Sequence, residues 1–165
     1  MLFGVKGAMG LVLSLYSLDA KTARKLGLGP EYVPSGEDEE LLSCNGFDKA
    51  WHMVHFLLTG TAEKTDHPLG LLYDAGLELD EDICSESVWI VSSAQVRAFR
   101  DALRTVSDEE LRSRFDPEAM AAADAYAAYG LCTDDWDYVS QGIPELRDFA
   151  EACATRGCGA IIAIM

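Results

Sequence analysis

Three side chains that can carry protons or bind a metal ion lie close together near the middle of the chain. Asp48, His52 and His55 are spaced i, i+4 and i+7, which makes them neighbours along one flank of a helix. A carboxylate beside an imidazole can tune it for proton transfer, and two imidazoles can supply two ligands to a metal ion. The spacing therefore raises two chemical hypotheses, a proton-transfer site and a metal site.

Both hypotheses have a structural alternative, which we favour. A zinc site needs a third ligand, for which the nearest candidates in sequence are Glu63, Asp66 and His67. The chain has no His-Glu-x-x-His pattern. In the structural alternative, His55 is a buried histidine that bonds a backbone carbonyl and His52 is exposed. We therefore predict no metal and no cofactor, and retain Asp48, His52 and His55 as candidate binding residues.

These residues belong to the strongest apolar pattern of the chain, residues 47–61. On a helical wheel, one sector of about 100° holds most of the large side chains: Phe47, Trp51, Val54, His55 and Leu58. Asp48, which together with Asn45 is a candidate N-cap, is part of a thin polar stripe opposite. A helix with so small a polar face is largely buried, so we predict that Trp51 lies in the core.

The same helix is predicted to end at Gly60, because a left-handed glycine commonly terminates a helix. Thr59, Gly60 and Thr61 then form its carboxyl end, where the partial negative charge favours a cation over a phosphate. Trp51 and Thr59 are further candidate binding residues. The rest of the chain lacks the glycine-rich loops of nucleotide-binding proteins and the G-x-S-x-G frame of a nucleophilic serine.

The cysteines do not form a recognisable site. Their number is odd and no two have the C-x-x-C spacing: they are Cys44, Cys84, Cys132, Cys153 and Cys158. Each is interpreted as a small buried hydrophobic residue in a reducing cytosol. Cys44 and Cys84 are expected in loops near acidic residues, whose charge disfavours a reactive thiolate.

A tryptophan surrounded by acids is the strongest indication of a binding surface. Trp136 lies between Asp134, Asp135 and Asp137. Such a residue can be an exposed anchor for a basic partner, or it can cover the start of a helix. Trp136 and Asp137 complete the set of candidate binding residues.

The charge balance narrows the classes of partner. With 13 Lys plus Arg and 28 Asp plus Glu, the formal net charge is −15, which disfavours binding to nucleic acid or to an anionic membrane surface. It suits a basic protein partner, or serves only solubility. No apolar run approaches the ~20 residues of a membrane span. We predict a cytoplasmic, non-enzymatic protein-binding domain of inhibitor or immunity type; the alternative is a small enzyme using a histidine–carboxylate pair on the 47–60 helix.

The order of patterns indicates an α+β fold in a single domain. Strands are predicted at 11–17, 87–91 and 160–165, with a short extended piece at 41–44. Helices are predicted after Asp19, at 47–60, after Ser92, after Ser107, at 118–129 and at 144–156. The apolar run at 160–165 is typical of a strand buried in the sheet, which we expect to be small and mixed.

The segment Trp51 to Glu63 resembles the YfbM-like family of bacterial proteins. The family pattern W-x-x-x-H-F-x-L-T-G-T is present as Trp51, His55, Phe56, Leu58, Thr59, Gly60 and Thr61. Weaker similarities follow in order at 88–103, at LRSRFD-x-x-x-M (111–120) and at 146–164. The family start, Met-Gly before the first strand, matches Met9-Gly10, so residues 1–8 are expected to be an N-terminal extension and 9–165 the domain. The resemblance implies an α+β fold and a soluble cytoplasmic protein, and it assigns no catalytic residues.

Overall fold

The computed structural model describes residues 10–34, 40–79 and 87–165, which form a single α+β domain. The strands are β1 Leu13–Ser17, β2 Ser43–Cys44, β3 Leu77–Glu78, β4 Ser87–Val91 and β5 Ala160–Ile164. The helices are α1 Ala20–Lys25, α2 Trp51–Thr59, α3 Ser93–Arg104, α4 Asp108–Ser113, α5 Pro117–Ala122, α6 Trp136–Ser140 and α7 Ile143–Arg156. The predicted extension 1–8 and Cys84 lie outside the described residues.

The five strands form one sheet in the order β2-β1-β5-β4-β3. The C-terminal strand β5 lies in the centre, as predicted. The prediction of a mixed sheet is wrong, because every neighbouring pair is antiparallel. The strands β1 and β4 run in the same direction, but β5 lies between them and pairs with both.

Strand β5 is apolar throughout because helices or loops cover both faces of the sheet. Ile162 lies opposite Leu15 and Trp89, and all three belong to the main core. Ile161 points to the other face, where it packs against a second, smaller cluster that includes Ile90. An antiparallel strand with one solvated face alternates polar and apolar residues, and a strand covered on both faces does not need to.

Local capping signals set several helix boundaries. The hydroxyl of Ser92 accepts from the Gln95 amide while the Gln95 side chain accepts from the Ser92 amide, which completes the predicted capping box of α3. Gly60 follows α2 with φ 77°, in the left-handed region where a glycine is favoured.

Two predicted helix boundaries are wrong. Helix α2 begins at Trp51 rather than near residue 47, after a turn in which Asp48 has φ 49°. The Ala-rich segment 118–129 is helical only to Ala122, since Asp124 and Ala127 adopt φ 56° and 63°. Left-handed residues cannot continue a right-handed helix, so tertiary contacts here override the helix propensity of alanine.

Candidate functional site

The segment around Trp51 builds a cluster of aromatic and imidazole rings beneath the surface. Trp51 is fully buried, as predicted, and its ring stacks on His52 with centroids 5.0 Å apart and planes at 20°. Tyr126 stacks on the indole at 6.0 Å. Tyr73 lies 5.1 Å from the His52 ring and 5.6 Å from the His55 ring. Three predicted site residues, Trp51, His52 and His55, are thus joined by tyrosines from other segments of the chain.

His52 holds two loops together through its ring nitrogens. Its Nε2 lies 2.7 Å from the carbonyl of Ala62, and its Nδ1 lies 2.8 Å from the amide nitrogen of Tyr126. Since a carbonyl only accepts and an amide N–H only donates, Nε2 carries the proton and Nδ1 accepts. The expectation that His52 is exposed is wrong, because only 4% of it is accessible. Both nitrogens are occupied, which leaves no lone pair for a metal ion or for proton abstraction.

Burial controls the protonation of both histidines. It lowers the pKa of His52, against the opposing effects of the Ala62 carbonyl and the Glu63 charge. It lowers the pKa of His55 to about 4, with the hydrogen bond to the Glu63 carbonyl acting in the opposite direction. Both rings are therefore neutral at pH 7.

His55 matches the structural interpretation made from the sequence. It is fully buried, and its Nε2 donates to the carbonyl of Glu63 at 2.9 Å. Its Nδ1 is buried without a hydrogen-bond partner in the described part of the chain. A neutral imidazole in this setting acts as a packed ring with one backbone hydrogen bond.

Trp51 and Tyr126 also close the edge of the sheet. The amide and carbonyl of Val12 bond Met165 on the β5 side, so the polar groups of Leu11 face the opposite edge, beyond the end of β2. There the indole N–H of Trp51 donates to the Leu11 carbonyl at 3.1 Å, and the Leu11 amide donates to the Tyr126 hydroxyl at 2.7 Å. Side chains thus take the place of a longer partner strand, which protects an otherwise open edge.

Asp48 does not join the histidines. It lies in the turn before α2, and its Oδ2 accepts a hydrogen bond from the hydroxyl of Tyr138 on α6 at 2.9 Å. Burial and this hydrogen bond raise the pKa of Tyr138. The predicted ladder of Asp48, His52 and His55 along one helix flank is therefore wrong, because the helix starts three residues after Asp48.

Instead, Asp48 lies with other carboxylates on what we call the acidic face, which comprises Asp48, Asp134, Asp137 and Glu145. The bond to Tyr138 places Asp48 beside α6, which carries Asp137. Glu145 Oε1 accepts from the Asn45 amide at 3.3 Å, which brings the start of α7 to the same turn. All four residues are exposed, and none forms an ion pair within the described residues.

Two aromatic residues lie in the segments that border the acidic face. Trp136 is half-buried, with its ring 5.6 Å from that of Phe115 and tilted by 57°, so it covers the start of α6 and is only partly available to a partner. Tyr129 is 73% exposed, on the turn between α5 and α6. Sequence reasoning missed Tyr129 because the segment was taken as helix; Gly130, which adopts φ 83°, was the available turn signal.

Thr59 lines a pocket of about 480 Å³. Its hydroxyl donates to the carbonyl of His55 at 2.8 Å, as a threonine does within a helix. The other side of the pocket carries Arg114, whose guanidinium donates to the Leu57 carbonyl at 3.1 Å and to Glu110 at 2.6 Å. Arg114, the second arginine of the LRSRFD segment, thus caps the carboxyl end of α2, where positive charge is stabilising.

We predict that Arg114→Gln lowers the free energy of unfolding by about 1 kcal/mol, because α2 loses a charged cap and Leu57 loses a hydrogen-bond donor. Denaturant unfolding measures the change. Arg112→Gln is the matched control. Arg112 is an exposed arginine two residues before Arg114, and its substitution removes the same charge. Equal losses in the two variants would contradict the capping role.

The described residues contain no group of three or more His, Cys, Asp or Glu side chains placed to hold a metal ion. Among residues 10–34, 40–79 and 87–165, no helix is long and apolar enough to cross a membrane. The candidate site is therefore a buried ring cluster that organises the fold, together with an acidic outer face.

These features define an α+β domain in which a Trp-His helix closes the edge of a five-stranded antiparallel sheet. The chain belongs to the family described as a domain of unknown function, DUF1877, whose model matches residues 9–163. Its fold is similar to the crystal structure of a protein of unknown function, YfbM, from Escherichia coli, with a TM-score of 0.65 and 16% identity. That match covers 93% of this chain and 99% of the other. No curated protein matches.

Proposed function

We propose that this domain is a non-enzymatic binding protein whose acidic face docks a basic cytoplasmic protein. The observation that carries the proposal is the group of four exposed carboxylates, none of them in an ion pair among the described residues, gathered from three separate segments. By contrast, described arginines such as Arg104 and Arg147 are already paired, with Glu151 and Asp108. An unpaired acidic surface attracts a positively charged partner and speeds its association.

The adjacent aromatic residues support the same proposal. Tyrosine and tryptophan are enriched among residues that dominate binding energy. Tyr129 offers a large exposed ring, and its hydroxyl is held by Asp124. Trp136 offers the part of its ring that Phe115 leaves uncovered. A partner with basic residues around an apolar centre would match this combination.

The alternative, a small enzyme that uses a histidine–carboxylate pair, has less support. Both ring nitrogens of His52 form hydrogen bonds with backbone groups, and His55 is fully buried. Neither ring contacts a carboxylate in the part of the chain that the structure describes. A general base must lie within hydrogen-bond reach of the proton it removes, and the burial of both rings disfavours that role.

A synthetic lysine-rich peptide tests the charge complementarity directly. We expect the wild type to bind it at low salt, and the triple variant Asp134→Asn, Asp137→Asn, Glu145→Gln to bind about tenfold more weakly, because rim charges set affinity and its salt dependence. Titration calorimetry at two salt concentrations measures both effects. Asp48 is left intact because it bonds Tyr138.

The control is a second triple variant, Asp66→Asn, Glu78→Gln, Glu109→Gln. It removes the same number of charges from exposed positions outside the acidic face. We expect it to retain most of the affinity. If both triples weaken binding equally, the peptide responds only to net charge and the acidic face is not a docking site.

A further inference from the structure

Two cysteines meet where helix α7 turns into the central strand β5. Gly157 follows the helix with φ 67°. The amide of Gly157 bonds the carbonyl of Ala154, and the amide of Cys158 bonds the carbonyl of Cys153 at 3.2 Å. This is the paired hydrogen-bond pattern of a Schellman motif, in which the residue after the glycine packs against a residue of the last helical turn. Here those two residues are both cysteines.

The two thiols are close neighbours. The Cys158 thiol donates to the Cys153 carbonyl oxygen at 3.5 Å, and the Cys158 side chain is near enough to raise the pKa of Cys153. Both are thiols rather than a disulfide. Cys153 is fully buried and Cys158 is 4% exposed. The turn therefore holds the Cys158 thiol against the last turn of the helix at Cys153.

We propose that Cys153 and Cys158 are a modification site: a dithiol that a peroxide oxidises to an intramolecular disulfide. The inference is independent of the acidic face. Its basis is the backbone geometry, because a tight turn closed by two hydrogen bonds holds the sulfurs at a high effective concentration. Once one thiol is oxidised, the second is already in place to attack it.

Hydrogen peroxide and the two thiols are the only reactants that this oxidation needs. One thiolate attacks an oxygen of the peroxide, the O–O bond breaks, and a sulfenic acid and water result. The second sulfur then attacks the sulfenic sulfur, an S–S bond forms, and a second water leaves. Two electrons pass from the sulfurs to the peroxide, and the protein loses two hydrogen atoms.

The environment assigns the order of attack. The interaction of the Cys153 S–H with the Cys158 sulfur is the main factor that raises the pKa of Cys153, and burial adds to it, so Cys153 keeps its proton. Cys158 is also the more accessible of the two, which makes it the sulfur that reacts first. Because both are nearly enclosed, oxidation is slower than at an exposed thiol.

The chain contains two single-cysteine controls. Cys132 is exposed, and we expect it to form mixed disulfides or sulfenic acid. Cys44 is as buried as Cys153, and burial together with the nearby Glu145 raises its pKa to about 12. We expect it to remain a thiol. A Cys132→Ser protein removes the competing exposed thiol and is the parent for the test.

The experiment treats this parent with excess hydrogen peroxide, blocks remaining thiols, and digests it with trypsin under non-reducing conditions. Arg156 separates the two cysteines in sequence, so the disulfide links two different peptides, 148–156 and 157–165. We expect that linked pair as the main oxidised product. It must disappear in Cys158→Ser and in Cys153→Ser, and it must persist in Cys44→Ser.

The oxidised protein should also be more resistant to heat, since a bridge across the α7–β5 turn limits the unfolded chain. We expect the melting temperature of the parent to rise by several degrees on oxidation and that of Cys158→Ser not to rise. A protein that keeps Cys153 and Cys158 as thiols, or that links either of them to Cys84 instead, would overturn the proposal. If both serine variants fail to fold, the peptide map of the parent still decides.

Discussion

Replacing Trp51 with alanine is expected to lower the free energy of unfolding by about 3–5 kcal/mol, the range for deleting a large buried aromatic side chain. Trp51 is fully buried, stacks on His52 and Tyr126, and donates to the carbonyl of Leu11. Its loss leaves a cavity and an open sheet edge together. Since domains of this kind are stable by about 5–15 kcal/mol, the variant should lie close to unfolding at 37 °C.

Denaturant unfolding followed by circular dichroism measures this change. Trp51→Phe keeps most of the ring volume but loses the indole N–H, so we expect an intermediate loss. Trp136→Ala is the matched control, because Trp136 is half-buried on the surface and should cost clearly less. If Trp51→Ala and Trp136→Ala destabilise equally, Trp51 is not the organising residue that its position indicates.

Acid is expected to destabilise the protein through the buried histidines. In the folded chain burial lowers the pKa of His55 from 6.5 to about 4, and it lowers the pKa of His52 as well. Between those two pH values the unfolded chain binds a proton that the folded chain does not. Stability is therefore highest above pH 6.5 and falls as the pH drops toward 4.

The size of the effect follows from the shift at His55. A change of one pKa unit corresponds to 1.36 kcal/mol, so His55 alone accounts for about 3 kcal/mol of lost stability at and below pH 4. Protonating His52 adds to the loss, because a proton on Nδ1 would face the Tyr126 amide, which itself donates. The ring would then release the turn that carries Tyr126 and Tyr129.

Urea unfolding at a series of pH values between 7 and 4 measures how steeply the free energy of unfolding falls with pH. His55→Gln keeps a donor for the Glu63 carbonyl but does not titrate, so we expect it to start at a lower stability and to lose less on acidification. An unchanged slope in His55→Gln would show that other groups cause the acid sensitivity.

Much of the fold was predictable because local patterns and tertiary packing agree. The β-rich run at 87–91, the Ser92–Gln95 capping box and the left-handed Gly60 all took the predicted conformation. The apolar run at 160–164 became the central strand. The family resemblance read from Trp51 to Thr61 was also correct. In each case the side chains nearest in sequence determine the outcome.

The candidate site was less predictable, because its geometry depends on segments far apart in the chain. Helical spacing joined Asp48 to His52 and His55, but Asp48 turned away to Tyr138, which lies 90 residues further on. The partners of His52, at Ala62 and Tyr126, cannot be derived from periodicity. Neither can the edge at Leu11 that Trp51 and Tyr126 close.

The segment around Trp51 shows most clearly what the sequence determines and what the tertiary structure determines. The sequence alone determined that it is a buried, nearly apolar helix ending at Gly60, because burial follows from the width of the apolar face. Only the tertiary structure decided what its polar atoms do. Hydrogen bonds need a donor and an acceptor within about 3 Å, and the backbone of Leu11, Ala62 and Tyr126 reaches that distance only after the chain has folded. The same contacts bury both histidine rings and occupy both ring nitrogens of His52 with backbone groups.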